Sequence, residues 1–423
     1  MISRATATRL PLAPGADSAE QTTKARLSGE VVAFTRPLTA LILAPTLHAG
    51  AADAGAIDLV RILRRNGHRA IVASNGGRLE SDVAAAGAEC VRLDLANFNP
   101  IFIARAAFAL KRLVQEKRCD VIHAHGRAAA WAGYLASRMT GAPLITTWHK
   151  GYREQNLFKR LYNSAMVRGE RVIAVSDQIA ELISERHGTS AEKIVVVPAS
   201  IDLARFDLAV VSATRVEAIR RSWGVKPDTK VILVVGRMLR RKGHHVVVKA
   251  VHRLKARGLK DFVCVFAGED QGRTHYTGEL WDLISATDTA DVVRLAGAVE
   301  DMPAAYAAAT VVVSAAVQPE GLQRAILEAQ AMTRPVVVSD LAAGPDVVLA
   351  PPAVPEERMT GLRVPTDDDT ALAAALIRLF SLSDAVRGAI GRRGREWVAG
   401  HFDAASIERA TLSLYAEVTR PKG

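Results

Sequence analysis

Residues 311–340 hold the pattern that most narrows the choice of fold for this chain. Three valines at 311–313 and three more at 336–338 are each suited to a short buried strand. A Pro-Glu-Gly turn at 319–321 lies between them. The turn is followed by apolar residues at helical spacing: Leu322, Ala325, Ile326 and Ala329. The stretch therefore predicts a strand, a tight loop, a helix and a second strand.

Composition extends this unit to the whole chain. The sequence has 423 residues, of which 49% are hydrophobic, and this is enough to bury two cores of ordinary size. Short β-branched runs alternate with segments rich in Ala, Leu and Arg, as is typical of α/β units with parallel sheets. We therefore expect an α/β protein with two Rossmann-like domains.

Cysteine usage and hydropathy indicate a cytoplasmic protein. Cys90, Cys119 and Cys264 lie in separate apolar or strand-like contexts without CxxC spacing, so we expect them to be reduced and buried. No apolar run is as long as a membrane-spanning helix, and residues 1–37 lack the apolar stretch of a signal peptide. The expected location is the cytoplasm. Peripheral contact with the inner face of the cytoplasmic membrane stays open as an alternative.

The net charge of +11 indicates an anionic partner. Nucleic acid, anionic lipid and a phosphorylated substrate are the candidate classes. Nucleic acid ranks last, because no interleaving of aromatic and basic residues accompanies the charge. A predicted helix at 101–116 has an apolar stripe beside a basic edge. It could lie on an anionic membrane surface, but a core-facing helix with a solvated back is the favoured interpretation.

A basic loop follows the predicted strand at 231–235. Its cations occupy four of six positions just ahead of a predicted helix: Arg237, Arg240, Arg241 and Lys242. Four cations so close together at the carboxyl end of a strand repel one another, and an anion bound between them would offset this electrostatic cost. Arginine and lysine are also the usual pair for phosphate. We expect an anion here, and a solvated basic turn is the alternative.

Two histidines alternate on the predicted strand at 120–125, and the second of them ends it. His125 lies at the edge where doubly wound sheets bind ligands, so it is either a site residue or a histidine satisfied by the next helix. His123 is interpreted as structural. His149 follows the predicted strand at 143–148 and is either a site residue or an ordinary loop residue.

Glu320 in the turn and Glu328 on the helix stand about two helical turns, or roughly 12 Å, apart. The pair is embedded in Pro-Glu-Gly, Leu-Glu-Ala and Arg-Pro-Val at fixed spacing. The stretch therefore resembles the Glu-x7-Glu signature of retaining glycosyltransferases with the GT-B fold, of the group 1 or family 4 type. The resemblance covers nearly everything from about residue 38 to 415. It is nearest to the bacterial transferases that build lipopolysaccharide and other envelope glycans.

The resemblance implies a role for each matching residue. Arg237 and Lys242 would grip a nucleotide diphosphate, and His125 would lie close to the reacting centre. Glu320 would hold the transferred sugar, and Glu328 the ribose. The other donor-binding positions implied are Gly50, Ala51, Gly236, Gly321, Leu322 and Gln323. The acceptor-side positions implied are His149 and Asp53.

The implied activity is transfer of a hexose from a nucleotide-diphosphate sugar to a glycan or glycolipid acceptor, with retention of configuration. The resemblance implies two domains facing across a cleft, and it implies neither a metal nor a cofactor. Asp367, Asp368 and Asp369 could suggest a metal site, but they precede a predicted helix. We interpret them as its cap.

The chain departs from the family pattern at several glycines. Ala51, Gln323 and Thr333 each stand where the family has Gly, and residues 341–344 replace a Gly-Gly turn. Each change adds a Cβ where backbone approaches ligand. A degenerate, non-catalytic nucleotide-sugar-binding protein is therefore one alternative, and a nucleotide-sugar epimerase is another. A dinucleotide oxidoreductase is disfavoured, because no Gly-x-Gly-x-x-Gly follows the first predicted strand.

The expected domain boundaries follow from these elements. They are a flexible tail at 1–36, an acceptor domain at 37–208, a linker at 209–226, a nucleotide-sugar domain at 227–402, and a terminal helix at 403–423 that packs back on the first domain.

Overall fold

A computed structural model of the chain describes residues 34–48, 50–152, 156–198, 200–270, 272, 274–318, 322–341 and 347–420. Within these ranges the chain forms two parallel sheets, each packed between helices. None of the helices in these ranges is long and apolar enough to cross a bilayer. All but the last three residues of the predicted tail at 1–36 lie outside the description.

The first sheet has seven parallel strands in the order β3-β2-β1-β4-β5-β6-β7. The strands are β1 Thr39–Leu43, β2 Arg69–Ser74, β3 Glu89–Arg92, β4 Val121–Ala124, β5 Leu144–Trp148, β6 Arg171–Ala174 and β7 Ile194–Val196. The helices are α1 Ala51–Arg65, α2 Glu80–Ala85, α3 Pro100–Lys117, α4 Arg127–Thr140, α5 Leu157–Asn163 and α6 Asp177–His187. Strand order reverses between β1 and β4, so the loops leaving these two strands flank a crevice.

The second sheet has six parallel strands in the order β10-β9-β8-β11-β12-β13. The strands are β8 Lys230–Val235, β9 Phe262–Ala267, β10 Val293–Gly297, β11 Val311–Ser314, β12 Val336–Ser339 and β13 Gly361–Val364. The helices are α7 Ala213–Ser222, α8 His244–Ala256, α9 Thr274–Ala286, α10 Met302–Ala308, α11 Arg324–Ala331, α12 Asp369–Ser381 and α13 Asp384–His401. The strand–helix–strand unit predicted at 311–340 is confirmed as β11, α11 and β12. Strand order here reverses between β8 and β11.

Both faces of each sheet are buried, which is why the strands are nearly continuous apolar runs. In β1, Leu41 and Leu43 face one core, while Ala40 and Ile42 face the other. Each fully buried leucine contributes about 1.5–3 kcal/mol to the free energy of unfolding. Because both faces of these strands are buried, the β-branched runs in the sequence predicted them as strands.

The chain passes between the two domains twice, and the two passages lie side by side. Val197 belongs to the core of the first domain and Ile201 to that of the second. The Ile201 N–H donates to the Phe402 carbonyl oxygen at 3.2 Å. Helix α14, Ala404–Thr419, follows the second passage and packs on the first sheet, where Leu414 and Tyr415 join the core.

The linker predicted at 209–226 is packed on the second domain, so the passage lies upstream of it. Within it, Arg215 donates to both carboxylate oxygens of Asp301 at 2.8 and 2.7 Å, and Trp223 is buried in the second core. Val216 and Ile219 recur at helical spacing on α7, and both pack partly buried against the core of the second domain. A linker exposed on all sides could not do so.

The starts of two helices, α1 and α12, bear on predictions made from the sequence. Helix α1 begins at Ala51, and extended Gly50 precedes it as the N-cap. Asp53 therefore lies in the first helical turn, where the helix dipole favours a carboxylate. Capping by the aspartate run is confirmed, since the Asp368 side chain accepts from the Ala371 N–H at 2.8 Å.

Candidate active site

The carboxyl ends of the two sheets face each other across a cleft, and residues of both domains meet there. Arg324 at the start of α11 donates to Asp58 on α1, with 2.7 Å between Nη1 and Oδ2. Arg78, after β2, pairs with Glu269, after β9, at 3.6 Å. Leu322 packs against the core of each domain. Residues of both domains can therefore act on one ligand.

The basic loop is held against the end of β11. The Val317 N–H donates to the Arg241 carbonyl oxygen at 2.9 Å. Gly243 adopts a φ of 72°, and a Cβ there would collide with the carbonyl oxygen of Ala315. Only glycine allows this close approach, so the basic loop and residues 315–317, which follow β11, lie side by side at the switch point.

Within the basic loop, Lys242 folds back over Gly236. A Cβ at Gly236, which has a φ of 150°, would be 3.4 Å from Lys242 Cε and 3.7 Å from its Nζ. Arg237 directly follows Gly236 at the same edge. The ammonium thus lies at the carboxyl end of β8, where an open α/β sheet binds its ligand.

The other two cations of the loop point elsewhere. Arg240 is ion-paired with Glu279 on α9 and stacks over the Tyr276 ring at 5.5 Å. Arg241 lines a separate cleft together with residues of the first domain. The sequence predicted an anion beside all four cations, because the spacing of residues in a loop does not reveal where each side chain points.

The second predicted carboxylate, Glu328, is largely buried on α11. Tyr306 Oη donates to its Oε2 at 2.9 Å, and Arg324 Nε lies 3.4 Å from its Oε1. Burial raises the pKa of Glu328, and Arg324 and Tyr306 oppose this rise. A carboxylate oxygen accepts more than one hydrogen bond, so both oxygens retain capacity for ribose hydroxyls.

The structure adds Tyr306 and Arg324 to the predicted set. Arg324 precedes Glu328 by four residues, and this spacing places the pair on one helix face and could have revealed it. Tyr306 is distant in sequence and gave no such signal. Glu320 and Gly321, both predicted site residues, lie outside the described residues.

Two further residues that were predicted to bind the donor directly precede the same helix. Leu322 lies between the domains as described above. Gln323 is the N-cap of α11, and its backbone carbonyl accepts from the Ile326 N–H at 2.9 Å. The Gln323 Oε1 atom is buried without a hydrogen-bond partner among the described residues. An unsatisfied buried amide beside the crevice suits a ligand contact.

Three histidines are stacked at the carboxyl end of the first sheet. His125 lies 4.5 Å from His123 and 5.1 Å from His149, measured between ring centroids. Its Nδ1 is 2.8 Å from His149 Nε2, while its own Nε2 is buried without a partner in the described part of the chain. His149 therefore orients the His125 ring through Nδ1, while the hydrogen-bonding capacity of Nε2 is unused within the described residues.

Burial keeps these histidines uncharged. It lowers the pKa of His123 to about 3 and that of His149 to about 4, and it holds the pKa of His125 well below its usual range. His123 bonds to Tyr415 Oη at 2.6 Å and to Thr147 Oγ1 at 2.7 Å. Both of its nitrogens are thus used within the fold, which agrees with the structural interpretation.

A small cavity of about 110 Å³ joins the histidines to the second domain. It is lined by His125, His149, Asp58 and Arg324 among others. Gly55 of α1 permits this arrangement, because a Cβ there would be 2.6 Å from His149 Cε1. The predicted positions Gly50, Ala51 and Asp53 lie at the start of the same helix, and Asp53 is buried.

The described residues contain no group of three or more His, Cys, Asp or Glu side chains arranged to hold a metal ion. In that part of the chain all three cysteines are free thiols. Cys119 and Cys264 are buried as expected, whereas Cys90 is only half-buried, because it lies on β3 at the edge of the first sheet.

Comparisons with known proteins agree with this arrangement. Residues 54–205 match the family model described as Glycosyltransferase Family 4, and residues 229–381 match Glycosyl transferases group 1. A D-inositol 3-phosphate glycosyltransferase of Actinosynnema mirum is 31% identical over 318 residues, covering 70% of this chain and 71% of the relative. A protein of the same name from Kineococcus radiotolerans is 29% identical over 333 residues, 73% of each chain.

Solved structures confirm the predicted fold. A glycosyltransferase from Rickettsia africae ESF-5 superposes with a TM-score of 0.81 at 27% identity, covering 92% of this chain and 100% of the other. HepE of Anabaena in complex with UDP-glucose gives 0.76 at 19% identity, covering 90% and 100%. With both halves matched by family models and a relative of 31% identity aligned over most of its length, the chain belongs to the GT-B glycosyltransferases of the family 4 and group 1 type.

Proposed function

We propose that this glycosyltransferase moves a hexose from a nucleotide-diphosphate sugar to a glycan or glycolipid acceptor, with retention and without a metal ion. The observation that carries the proposal is the position of Lys242. The ammonium lies over Gly236 at the switch point of the second sheet, and the basic loop is bonded to the loop that leads to α11 and Glu328. This connection supports a role for Lys242 at the diphosphate and for Glu328 at the ribose of one bound donor.

The roles of the residues follow from the charge that develops. As the bond from the anomeric carbon to the phosphate oxygen breaks, negative charge grows on the leaving diphosphate, and Arg237 and Lys242 stabilise it. The acceptor oxygen forms the new bond to that carbon on the same face. Its proton passes to the departing phosphate oxygen, so no protein nucleophile is needed. Glu320 and His125 hold the sugar hydroxyls in this geometry.

The acceptor class has two candidates. The envelope-glycan role, including lipopolysaccharide, rests on motif resemblance alone. The relatives described above are named as D-inositol 3-phosphate glycosyltransferases, and this favours a phosphorylated polyol as the second candidate. A cytoplasmic location with peripheral membrane contact is compatible with either acceptor.

The test is a panel of nucleotide-diphosphate sugars headed by UDP-sugars, screened by thermal shift with the full chain. A donor that binds only the folded protein raises its melting temperature. Donors that do so are then incubated with glycan, glycolipid and polyol phosphate acceptors, with and without EDTA, and products are identified by mass spectrometry and NMR. We expect a glycosylated product of retained configuration at an unchanged rate in EDTA. An isomerised donor, an inverted product or a rate restored by magnesium would contradict the proposal.

A further inference from the structure

The last helix of the chain, α14, places a polar side chain next to the stacked histidines of the first domain. The Tyr415 ring is fully buried, and its centroid lies 5.8 Å from that of His123. Its hydroxyl oxygen is 2.6 Å from His123 Nδ1, although 292 positions separate the two residues in the sequence. A residue near the end of the chain thus reaches the histidines at the carboxyl end of the first sheet.

His123 is held at both ring nitrogens by residues of different elements. Tyr415 of α14 bonds to Nδ1, and Thr147 Oγ1 of β5 is 2.7 Å from Nε2. Each nitrogen of an imidazole forms its hydrogen bond in the plane of the ring and in one direction. The two bonds together therefore fix the plane of the His123 ring.

The plane of His123 in turn constrains the ring of His125. The two rings are stacked with centroids 4.5 Å apart and an angle of 26° between their planes. The residues alternate at the end of β4, so their side chains leave the same face of the sheet. In a close-packed interior the His125 ring has little freedom to tilt while its neighbour is fixed. His149 bonds to the Nδ1 atom of His125, so stacking and hydrogen bonding act on one ring.

Helix α14 is itself fixed on the first domain on either side of Tyr415. Glu408 pairs with Arg65 at 2.9 Å and accepts from the Asn66 side chain at 2.7 Å, at the end of α1. Glu417 pairs with Arg171 at the start of β6. The Tyr415 hydroxyl is therefore attached to a helix that is held against the domain whose histidines it contacts.

Packing alone does not require these polar groups. Burying a hydroxyl and an imidazole costs free energy even when they bond to each other, and an apolar pair of similar volume at positions 123 and 415 would avoid that cost. A buried network whose members are all hydrogen-bonded does fix the orientation of its rings, which an apolar pair cannot do. The ring stacked on this network is that of His125, which lines the cavity between the domains.

We propose that Tyr415 is a positioning residue for the transfer reaction: through His123 it holds the His125 imidazole in the orientation at which Nε2 meets a hydroxyl of the bound sugar. The inference deepens the proposed function and rests on it for the contact between His125 and the sugar. It adds α14, which follows the second domain in the chain, to the elements that shape the reacting centre.

The first test compares steady-state kinetics of two variants, with a donor and an acceptor that give product in the screen described above. Tyr415→Phe removes only the hydroxyl. We expect kcat to fall about threefold to tenfold, as loss of one orienting hydrogen bond does, with the KM for donor changed by less than about twofold. Leu414→Val is the matched control, because it removes one methylene from the adjacent buried position of α14 and should leave kcat unchanged. No loss in Tyr415→Phe, or equal losses in both variants, would overturn the proposal.

A double-mutant cycle shows whether Tyr415 acts through His123. His123→Phe keeps an aromatic ring in the stack and removes both nitrogens. Tyr415→Phe should then have no further effect on kcat in the His123→Phe background. An equal loss in both backgrounds would contradict the proposal, since the hydroxyl would act by another route. Should His123→Phe fail to fold, Thr147→Val takes its place, because it removes the other bond to the same ring; the two losses of kcat should then multiply to less than their product.

NMR spectra of the protein with ¹⁵N-labelled histidine provide a readout that does not depend on activity. We expect the ring nitrogen signals of His125 to shift in Tyr415→Phe and to stay as in the wild type in Leu414→Val. A lowered kcat with unchanged His125 signals would overturn the proposal, because the effect would not pass through this ring. The proposed function fails separately, if the wild-type chain forms no product from any nucleotide sugar. The spectra would then still decide whether Tyr415 orients His125.

Discussion

His125 and His149, which directly follow the neighbouring strands β4 and β5 of the first sheet, share a ring-to-ring hydrogen bond of 2.8 Å between Nδ1 and Nε2. One proton lies between the two nitrogens, so the tautomer of one ring decides that of the other. His149 therefore decides whether the Nε2 atom of His125, which has no hydrogen-bond partner among the residues that the structure describes, is a donor or an acceptor. We therefore expect His149, which was predicted on the acceptor side, to act through His125.

We expect His149→Ala to lower kcat by about tenfold to a hundredfold with little change in the KM for donor, because it removes orientation rather than a donor contact. His149→Gln restores an amide near the former Nε2 and should recover most of the rate. Steady-state kinetics on the two variants decide this. Equal loss in both would assign His149 a packing role over Gly55.

The stacked histidines predict that the protein loses stability on mild acidification. Their pKa values are lowered in the folded state, to about 4 for His149 and about 3 for His123. The unfolded chain therefore binds more protons once the pH falls below about 6.5. Each such histidine lowers the free energy of unfolding by about 1.4 kcal/mol per pH unit between that value and its folded pKa.

Urea titrations at pH 7, 6 and 5 measure this dependence. His149→Gln removes one of the protons taken up on unfolding and should flatten the curve. A free energy of unfolding that is constant from pH 7 to 5 would show that the rings are hydrated.

Substitutions in the basic loop should separate its cations. Arg237→Ala and Lys242→Ala should each lower kcat by about two to three orders of magnitude, as loss of a group that stabilises developing charge does. Arg240→Ala is the matched control from the same loop, because Arg240 pairs with Glu279 and should change kcat by less than about threefold. Comparable losses of kcat in all three variants would indicate that the loop acts through its total positive charge and not through particular side chains.

Arg324 contacts a carboxylate on each domain, and two variants distinguish its roles. Arg324→Gln leaves the buried Glu328 without its cation and should lower the free energy of unfolding by about 1–3 kcal/mol. Asp58→Asn breaks only the contact with the first domain, which is partly exposed, and should cost about 1 kcal/mol or less. Urea unfolding of both variants is the measurement. A larger cost for Asp58→Asn would make the interdomain pair the main role of Arg324.

Thr333 occupies a position that the family pattern gives to glycine, and the structure shows why. Its φ is 53°, in the left-handed region that β-branched residues rarely adopt. Thr333→Gly should relieve this strain and raise the free energy of unfolding by about 0.5–1 kcal/mol after the entropy cost of glycine. Thermal unfolding tests it. Gly391→Ala is the contrast and should destabilise, because its Cβ would collide with the Thr333 carbonyl oxygen.

Local patterns predicted much of the fold. The valine runs, the helical spacing after residue 321 and the aspartate cap gave β11, α11, β12 and the start of α12. The sequence patterns of β13 and α13 are weaker and did not predict these two elements. A short strand and a helix rich in Gly and Arg lack clear apolar periodicity.

The sequence by itself determined the two α/β sheets, the basic loop and the carboxylates on and before α11, because each depends on residues close together in the chain. Only the tertiary structure decided which cations face which ligand. Arg240 pairs with Glu279, Arg241 lines a separate cleft together with residues of the first domain, and Lys242 lies over Gly236. Such contacts depend on strand order and domain placement, which bring together residues that no local pattern connects.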